Sequence, residues 1–298
     1  MAGKKLKLNK LTKQEEDIIV RRSTELPFTG EYNGFFKEGI YVCRRCNTPL
    51  YLSRNKFRSA CGWPSFDEEI KGRVKQIQDP DGSRIEIRCA TCGAHLGHVF
   101  EGEHITDKNV RHCVNSISLK FIPKEELKFE TIVLGGGCFW CTESVFLMLP
   151  GVLFVSPGYA GGKTENPDYY KVSAGDTGHA EVVKVDYDPK QITFSSLLNI
   201  FFSMHDPTTP NRQGADAGSQ YRSIILCTSQ KQLKEAKKFI PKMQKNFPDP
   251  IVTELKMLDK FYPAEDEHKN FYARNKVHPY CTLVISPKLD KIRKKFLK

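Results

Sequence analysis

Residues 130–151 read ETIVLGGGCFWCTESVFLMLPG. Ile132, Val133 and Leu134 make a short buried strand. Gly135, Gly136 and Gly137 then supply a sharp turn or a close backbone approach. After them Val145, Phe146 and Leu149 recur at helical spacing, and Pro150-Gly151 stops the helix. A strand entering a helix through this turn puts Cys138 at the helix amino terminus. Free amides and the helix dipole there favour an anion, so a lowered thiol pKa is expected. Cys141, one turn on, is placed to trap an oxidised Cys138 as a disulfide. The pattern reads as a redox motif more than a structural pair.

Further along, Glu181–Tyr187 and Ser223–Cys227 read as strands, with helical patterns over Ser195–Met204 and Gln230–Met243. That predicts an α+β sandwich with a mixed sheet. Upstream, short apolar runs separated by Gly, Pro and Asn turns predict a mainly antiparallel β domain. A chain of 298 residues accommodates both.

The ten cysteines sort by spacing. No apolar leader follows MAGKKLKLNKL, so a secretory signal is not expected; a reducing, cytoplasmic setting is. Cysteines there serve metal, catalysis or packing. Cys43-x-x-Cys46 and Cys89-x-x-Cys92 form two knuckle-like pairs, which together offer a tetrahedral four-sulfur set for structural zinc. Four thiolates close such a site, leaving His95 and His98 for site chemistry or packing. Cys113 stands alone in RHCVNSISLKF. Its neighbours Arg111 and His112 are cationic candidates that would favour a thiolate. Val114, Ile117, Leu119 and Phe121 alternate after it as in a strand. Cys227, in SIILCTS, reads as a buried strand residue. Cys281, in HPYCTLVIS, precedes a strand-like run, Leu283 to Ile285.

The charge balance, 46 Lys and Arg against 35 Asp and Glu, gives +11. The densest basic runs, 4–13 and 288–298, read as solvated ends, and no nucleic-acid partner is expected. The longest mostly apolar stretch, 145–155, is far shorter than a bilayer span and is broken by Pro150, so no membrane partner is expected either.

Longer motifs now matter. GGGCFWC (135–141), GYAGGKTENPDYYKV (158–172), GDTGHAEVVKVDYDP (175–189), HDPTTPNRQGADAGSQYRS (205–223) and YPAEDEHKNFY (262–272) resemble, in order, A-type methionine sulfoxide reductases. TELPFTGEYN (24–33), GIYVCRRCNTPLY (39–51), KFRSACGWPSF (56–66), CATCGAHLGHVFEGE (89–103) and RHCVNSISLKFIP (111–123) resemble B-type ones. The resemblance implies a fused B–A enzyme: a B-type domain over 1–123, a joint at 124–129 (KEELKF) and an A-type domain over 130–298. It implies thiol-dependent reduction of methionine sulfoxide, free or in proteins, through a sulfenic acid and an intramolecular disulfide. The A-type half would take the S epimer and the B-type half the R epimer. Thioredoxin is the implied reductant, and neither flavin nor nucleotide is expected.

Carried over residue by residue, the A-type half has Cys138 as nucleophile, Phe139 and Trp140 as the slot for the substrate methyl and Glu181 as acid. Tyr169 and Tyr221 would bind oxygen, with Asp216 in the polar network. Glu181 would need burial to stay protonated near neutral pH. Cys141 and Cys281 both stand as resolving thiols. In the B-type half, Cys113 is the nucleophile, Cys61 the resolving thiol, and Trp63 and Phe100 the methyl slot. His95, His98, Arg111 and Asn115 form the polar site. One departure stands out. The family often has an acidic residue two positions past the Phe of HVF, where this chain has Gly102. Glu101 or Glu103 would have to substitute in orienting the histidines.

Overall fold

The computed structural model describes residues 6–79 and 81–297; the first residues of the amino-terminal basic run and Lys298 lie outside them. The chain divides into two compact units, one ending at Leu127 and the other beginning at Lys128. Among the described residues, no helix is long and apolar enough to cross a membrane.

Among the described residues of the amino-terminal unit, a short helix α1 (Lys13–Ile19) precedes nine strands. They are β1 (Gly39–Cys43), β2 (Pro49–Leu52), β3 (Lys56–Phe57), β4 (Ser65–Phe66), β5 (Val74–Gln78), β6 (Ile85–Cys89), β7 (His95–Glu101), β8 (Val110–Val114) and β9 (Leu119–Pro123). One sheet has the order β2-β1-β9, the other β3-β4-β8-β7-β6-β5, and every pairing is antiparallel. The core gathers Tyr41, Leu50, Tyr51, Phe66, Ile87, Leu96 and Val114. The single strand expected to run on from Cys113 is instead two: a 3-10 turn at Ser116–Ser118 separates β8 from β9. The Glu25 carboxylate accepts the Ser116 and Ile117 amides at that turn and holds the break open.

The carboxy-terminal unit is built on a six-stranded sheet. Its strands are β10 (Glu130–Gly135), β11 (Val152–Ala160), β12 (Ala180–Tyr187), β15 (Ile224–Cys227), β16 (Glu254–Met257) and β17 (Phe261–Pro263). The order is β16-β15-β10-β12-β11-β17, and only β15 with β16 is parallel, so the sheet is mixed. A two-residue ladder, β13 (Arg212–Gln213) with β14 (Asp216–Ala217), stands apart. The helices are α2 (Phe139–Leu147), α3 (Tyr169–Ala174), α4 (Phe194–Met204), α5 (Gln230–Met243), α6 (Phe271–Arg274) and α7 (Ser286–Phe296). Strand alternation sorts the two faces. Ile132, Leu134, Val183, Val185 and Tyr187 face the large core with α2, α4 and α7. Val133, Ala180 and Val182 face a smaller cluster with Ile224 and Leu226. The strand-like run after Cys281 is a turn of π-helix, Cys281–Ile285, leading straight into α7. Cys281 and Ile285 are buried while Leu283 is 76% exposed, a helical and not a strand alternation.

Candidate active sites

The carboxy-terminal site begins where β10 hands over to α2. Cys138 is the residue that caps α2, as the sequence predicts. Gly137 makes the turn with φ +91, and a side chain there would collide with Gln213. Glu181 has the same strand parity as Val183 and Val185, so its side chain points at the helices and is 2% exposed. Its Oε2 accepts the Phe139 amide at 3.0 Å, one of the free amides of the α2 amino terminus. Burial pushes the carboxyl up to about 8.

The thiols correct one expectation. Burial pushes Cys138 up and not down, and the nearby Glu181 adds to the effect. Cys141 is the lowered partner, first through its hydrogen bond with Cys138 and then through Lys288, against its own burial. At an 8% exposed thiol, desolvation outweighs the helix dipole. Cys141 Sγ also lies 3.9 Å from the Tyr280 hydroxyl, which donates to Asp216 Oδ2 at 2.6 Å. Tyr169 and Tyr221 are both raised, first by burial and next by the nearby Glu181 charge. Cys281 is fully buried in the apolar core. Phe139 is fully buried too, while Trp140 is the half-buried aromatic of the pair. Phe271 stacks on Trp140 at 3.6 Å and 6°, and the indole N–H points at His268 Nδ1, 3.3 Å away. Glu265 accepts the Tyr159 hydroxyl at 2.8 Å and the Tyr169 amide at 3.0 Å. Sequence reasoning missed Tyr280, Glu265, His268 and Phe271, though three of them lie inside the quoted YPAEDEHKNFY.

In the amino-terminal unit, β4 pairs with β8, Ser65 opposite Cys113, and this delivers the preceding loop to the strand. Cys61 Sγ lies 3.7 Å from Cys113 Sγ. The Cys113 thiol, with Ser59 and Ser65, draws Cys61 down to about 4, while Cys113 is raised. A cavity of about 90 Å³ opens beside them, lined by Trp63, His98, Phe100, Cys113, Asn115 and Thr24, among others. Trp63 donates its indole N–H to the Glu25 carbonyl, and Asn115 Oδ1 accepts the Glu25 amide, both at 3.1 Å. Arg111 lies over the Phe100 ring at 4.4 Å. His112 is not a cationic neighbour of the thiol. It lies on the opposite face of β8, is 2% exposed, and burial lowers it to about 4.

The missing acid at Gly102 has two answers. Glu103 binds Arg111 bidentately, at 2.6 and 2.7 Å. The histidines take their partners from elsewhere. His95 Nδ1 meets Glu86 Oε1 at 2.6 Å, and His98 Nε2 lies 3.3 Å from Asp79 Oδ2. His95 therefore stands behind His98, whose ring lines the cavity. Gly97 makes the close approach possible: its φ is +151, and a side chain would meet the Cys113 carbonyl at 2.0 Å.

Away from that cavity, Cys43, Cys46, Cys89 and Cys92 converge, their sulfurs all within 4.8 Å of one another. Each pair sits in the same turn. Asn47 donates to the Cys43 carbonyl at 2.8 Å and Gly93 to the Cys89 carbonyl at 2.9 Å, both in the left-handed region. Cys43–Cys92 and Cys46–Cys89 are each 3.6 Å apart. A metal–sulfur bond of roughly 2.3 Å in a tetrahedron implies a sulfur–sulfur edge of roughly 3.8 Å. The four thiols can hold a metal ion.

Both units thus carry a pair of adjacent thiols beside polar side chains, the arrangement of thiol-dependent oxidoreductases. The comparisons narrow this. Residues 130–298 match the family Peptide methionine sulfoxide reductase, and residues 11–123 match the SelR domain. A peptide methionine sulfoxide reductase MsrA of Trichodesmium erythraeum is 54% identical over 169 residues, covering 56% of this chain and 96% of that protein. One from Sulfolobus acidocaldarius is 54% identical over 167 residues, covering 56% and 95%. The crystal structure of Mxr1 from Saccharomyces cerevisiae in reduced form matches with a TM-score of 0.50 and 38% identity, over 52% of this chain and 90% of that one. The chain belongs to the peptide methionine sulfoxide reductase family, with a SelR domain fused ahead of it. It reduces methionine sulfoxide to methionine, the S epimer in the carboxy-terminal unit and the R epimer in the amino-terminal one.

Proposed function

We propose that the two epimers are reduced by Cys138 and Cys113. In the carboxy-terminal unit, Cys138 attacks the sulfoxide sulfur, Glu181 gives the substrate oxygen its proton, and the proton of the Cys138 thiol returns to Glu181. The oxygen passes to Cys138 as a sulfenic acid and methionine leaves. Cys141 then attacks the sulfenic sulfur; the oxygen departs as water and a Cys138–Cys141 disulfide remains. A dithiol reductant, thioredoxin, returns both thiols and is itself oxidised. The observation that carries this reading is Glu181: a 2% exposed carboxyl, held up at about 8, one residue-length from the nucleophile through the Phe139 amide. Such a group is protonated at neutral pH and able to act as the acid. Trp140 bounds the methyl slot, with Phe139 behind it. Tyr169 and Tyr221 bind the oxygen, and Asp216 orders Tyr280. Cys141 is favoured over Cys281 because its thiol already touches that of Cys138.

In the amino-terminal unit Cys113 takes the same role, with Cys61 resolving, Trp63 and Phe100 as the slot, and His98, Arg111 and Asn115 around the oxygen. His95 orients His98. The four-thiol cluster would hold zinc, whose preference for thiolates in a tetrahedron the set fits. Cys43, Cys46, Cys89 and Cys92 would be its ligands, and its contribution is to join the two sheets of that unit, not to react. A reducing, cytoplasmic location suits cysteines that serve metal and catalysis, and 124–129 serve as the joint between domains. The test is dithiothreitol-driven reduction of separate R and S epimers of a blocked methionine sulfoxide. Cys113→Ser should lose only the R activity and Cys138→Ser only the S activity. Full activity of either variant on its own epimer overturns the assignment.

A further inference from the structure

Glu143 takes no part in the chemistry above, yet it is 1% exposed in the heart of the carboxy-terminal unit. It lies on α2, nearly one turn beyond Trp140. Its Oε1 accepts the Asn270 amide at 2.9 Å, and the Phe271 amide also bonds to the carboxyl. Oε2 has no partner. A buried carboxyl with an orphan oxygen is costly to keep, so its remaining bonds call for an explanation.

Those bonds anchor the segment 265–271, whose side chains shape the active site. Glu265 fastens to Tyr159 and Tyr169. His268 receives the Trp140 indole N–H, and its ring lies 4.5 Å from Tyr169. Phe271 stacks on Trp140. Asn270 is held at φ +52, a left-handed conformation that carries strain for a residue with a side chain and needs something to fix it. Arg274 ties the same segment from outside, donating to the carbonyls of Asp266 at 2.9 Å and Glu267 at 2.7 Å.

We propose that Glu143 is a positioning residue for the S-epimer site: by gripping Asn270 and Phe271 it fixes the face of Trp140 that receives the substrate methyl. The inference rests on Trp140 bounding that slot. Burial pushes the Glu143 carboxyl up to about 7, against the amide bonds and the charges of Arg274 and Lys269. A neutral side chain with the same acceptor oxygen should therefore serve as well.

The experiment uses the full chain, dithiothreitol and a blocked methionine S-sulfoxide. Glu143→Ala should raise KM about tenfold by letting the Trp140 face wander, with kcat little changed. R-epimer kinetics should not move. Trp140 emission, read in a Trp63→Phe background so that one of the two indoles remains, should shift to the red. Glu143→Gln should restore both KM and emission. Phe271→Leu, which removes the stacked ring and leaves Glu143 in place, should reproduce the raised KM and serves where the alanine variant fails to fold. Wild-type KM in Glu143→Ala or in Phe271→Leu overturns the proposal, and so does a glutamine variant that behaves like alanine. Trp140→Leu separates the two readings. Wild-type KM there overturns Trp140 as the slot wall and this proposal with it. A raised KM there, beside wild-type KM in Glu143→Ala, overturns the proposal alone.

Discussion

The two thiol pairs reach the same contact by opposite routes. Cys138 and Cys141 are three residues apart on one helix start, and any helix there brings them together. Cys61 and Cys113 are 52 residues apart, and only the pairing of β4 with β8 sets their sulfurs at 3.7 Å. The carboxyl groups around the two pairs differ as well. The helical site keeps a buried carboxyl, Glu181, on the Phe139 amide that follows Cys138. Among the described residues, the strand site has no such carboxyl on its cavity wall. Its acids, Glu103, Glu86 and Asp79, are spent on Arg111, His95 and His98. On the proposed roles, one reaction type is served once by local geometry with a buried carboxyl and once by long-range pairing beside an arginine and a histidine whose acids are already engaged.

This contrast can be broken most decisively at the nucleophiles. Cys138→Ser or Cys113→Ser should cost its own epimer at least about a thousandfold in kcat/KM, leaving the other untouched. Rates on separate epimers check it. The metal cluster comes next. Serine at Cys46 or Cys92 should remove bound zinc and unfold the amino-terminal unit, since structural zinc contributes roughly 10–16 kcal/mol against a typical domain stability of about 5–15. Elemental analysis and the persistence of S-epimer activity check it; unchanged metal content counts against the cluster.

The acid comparison is sharpened by Glu181→Gln, expected to lower S-epimer kcat by about 10²–10⁴. In the wild type Glu181 is raised to about 8. The acid form is present below that pH and lost as pH rises through it, so S-epimer kcat should fall above pH 8. The R-epimer profile should lack that limb, and a shared limb would erase the contrast. The smallest effect is expected at Gly97. Alanine there meets the Cys113 carbonyl and should cost the amino-terminal unit about 1–3 kcal/mol, with partial loss of R activity. Thermal unfolding and R-epimer rates together check it.

What the sequence made legible follows the same division. The strand–glycine–cysteine–helix reading at 130–151 and the twin knuckles needed only local rules, and the structure builds both. Local rules also misled. They placed His112 beside the thiol because it is adjacent in sequence, whereas a strand turns neighbours to opposite faces. They gave Cys138 a dipole-lowered pKa because burial is not written in the motif. The resemblance supplied Glu181, which its charge alone would have left in solvent although its parity is that of Val183 and Val185. The partners of His95 and His98 had no local signal, since Glu86 and Asp79 come from the neighbouring strand and the loop beside it; Glu103 was legible in the sequence beside Gly102, but it holds Arg111 and not a histidine. In YPAEDEHKNFY the density of acids, a histidine and aromatics was a usable hint that was not taken.

Tyr280, which stands over Cys141 and is ordered by Asp216, lies 139 residues beyond that cysteine. A ribosome adding about 5–20 residues per second needs on the order of ten seconds to cover that distance. For that interval the nascent chain presents Cys138 and Cys141 as an open dithiol, without the wall that later hides them. The sulfoxide-reducing chain thus passes through a birth stage in which this thiol pair is unguarded, while the strands of the amino-terminal unit, complete by Pro123, are free to have folded already.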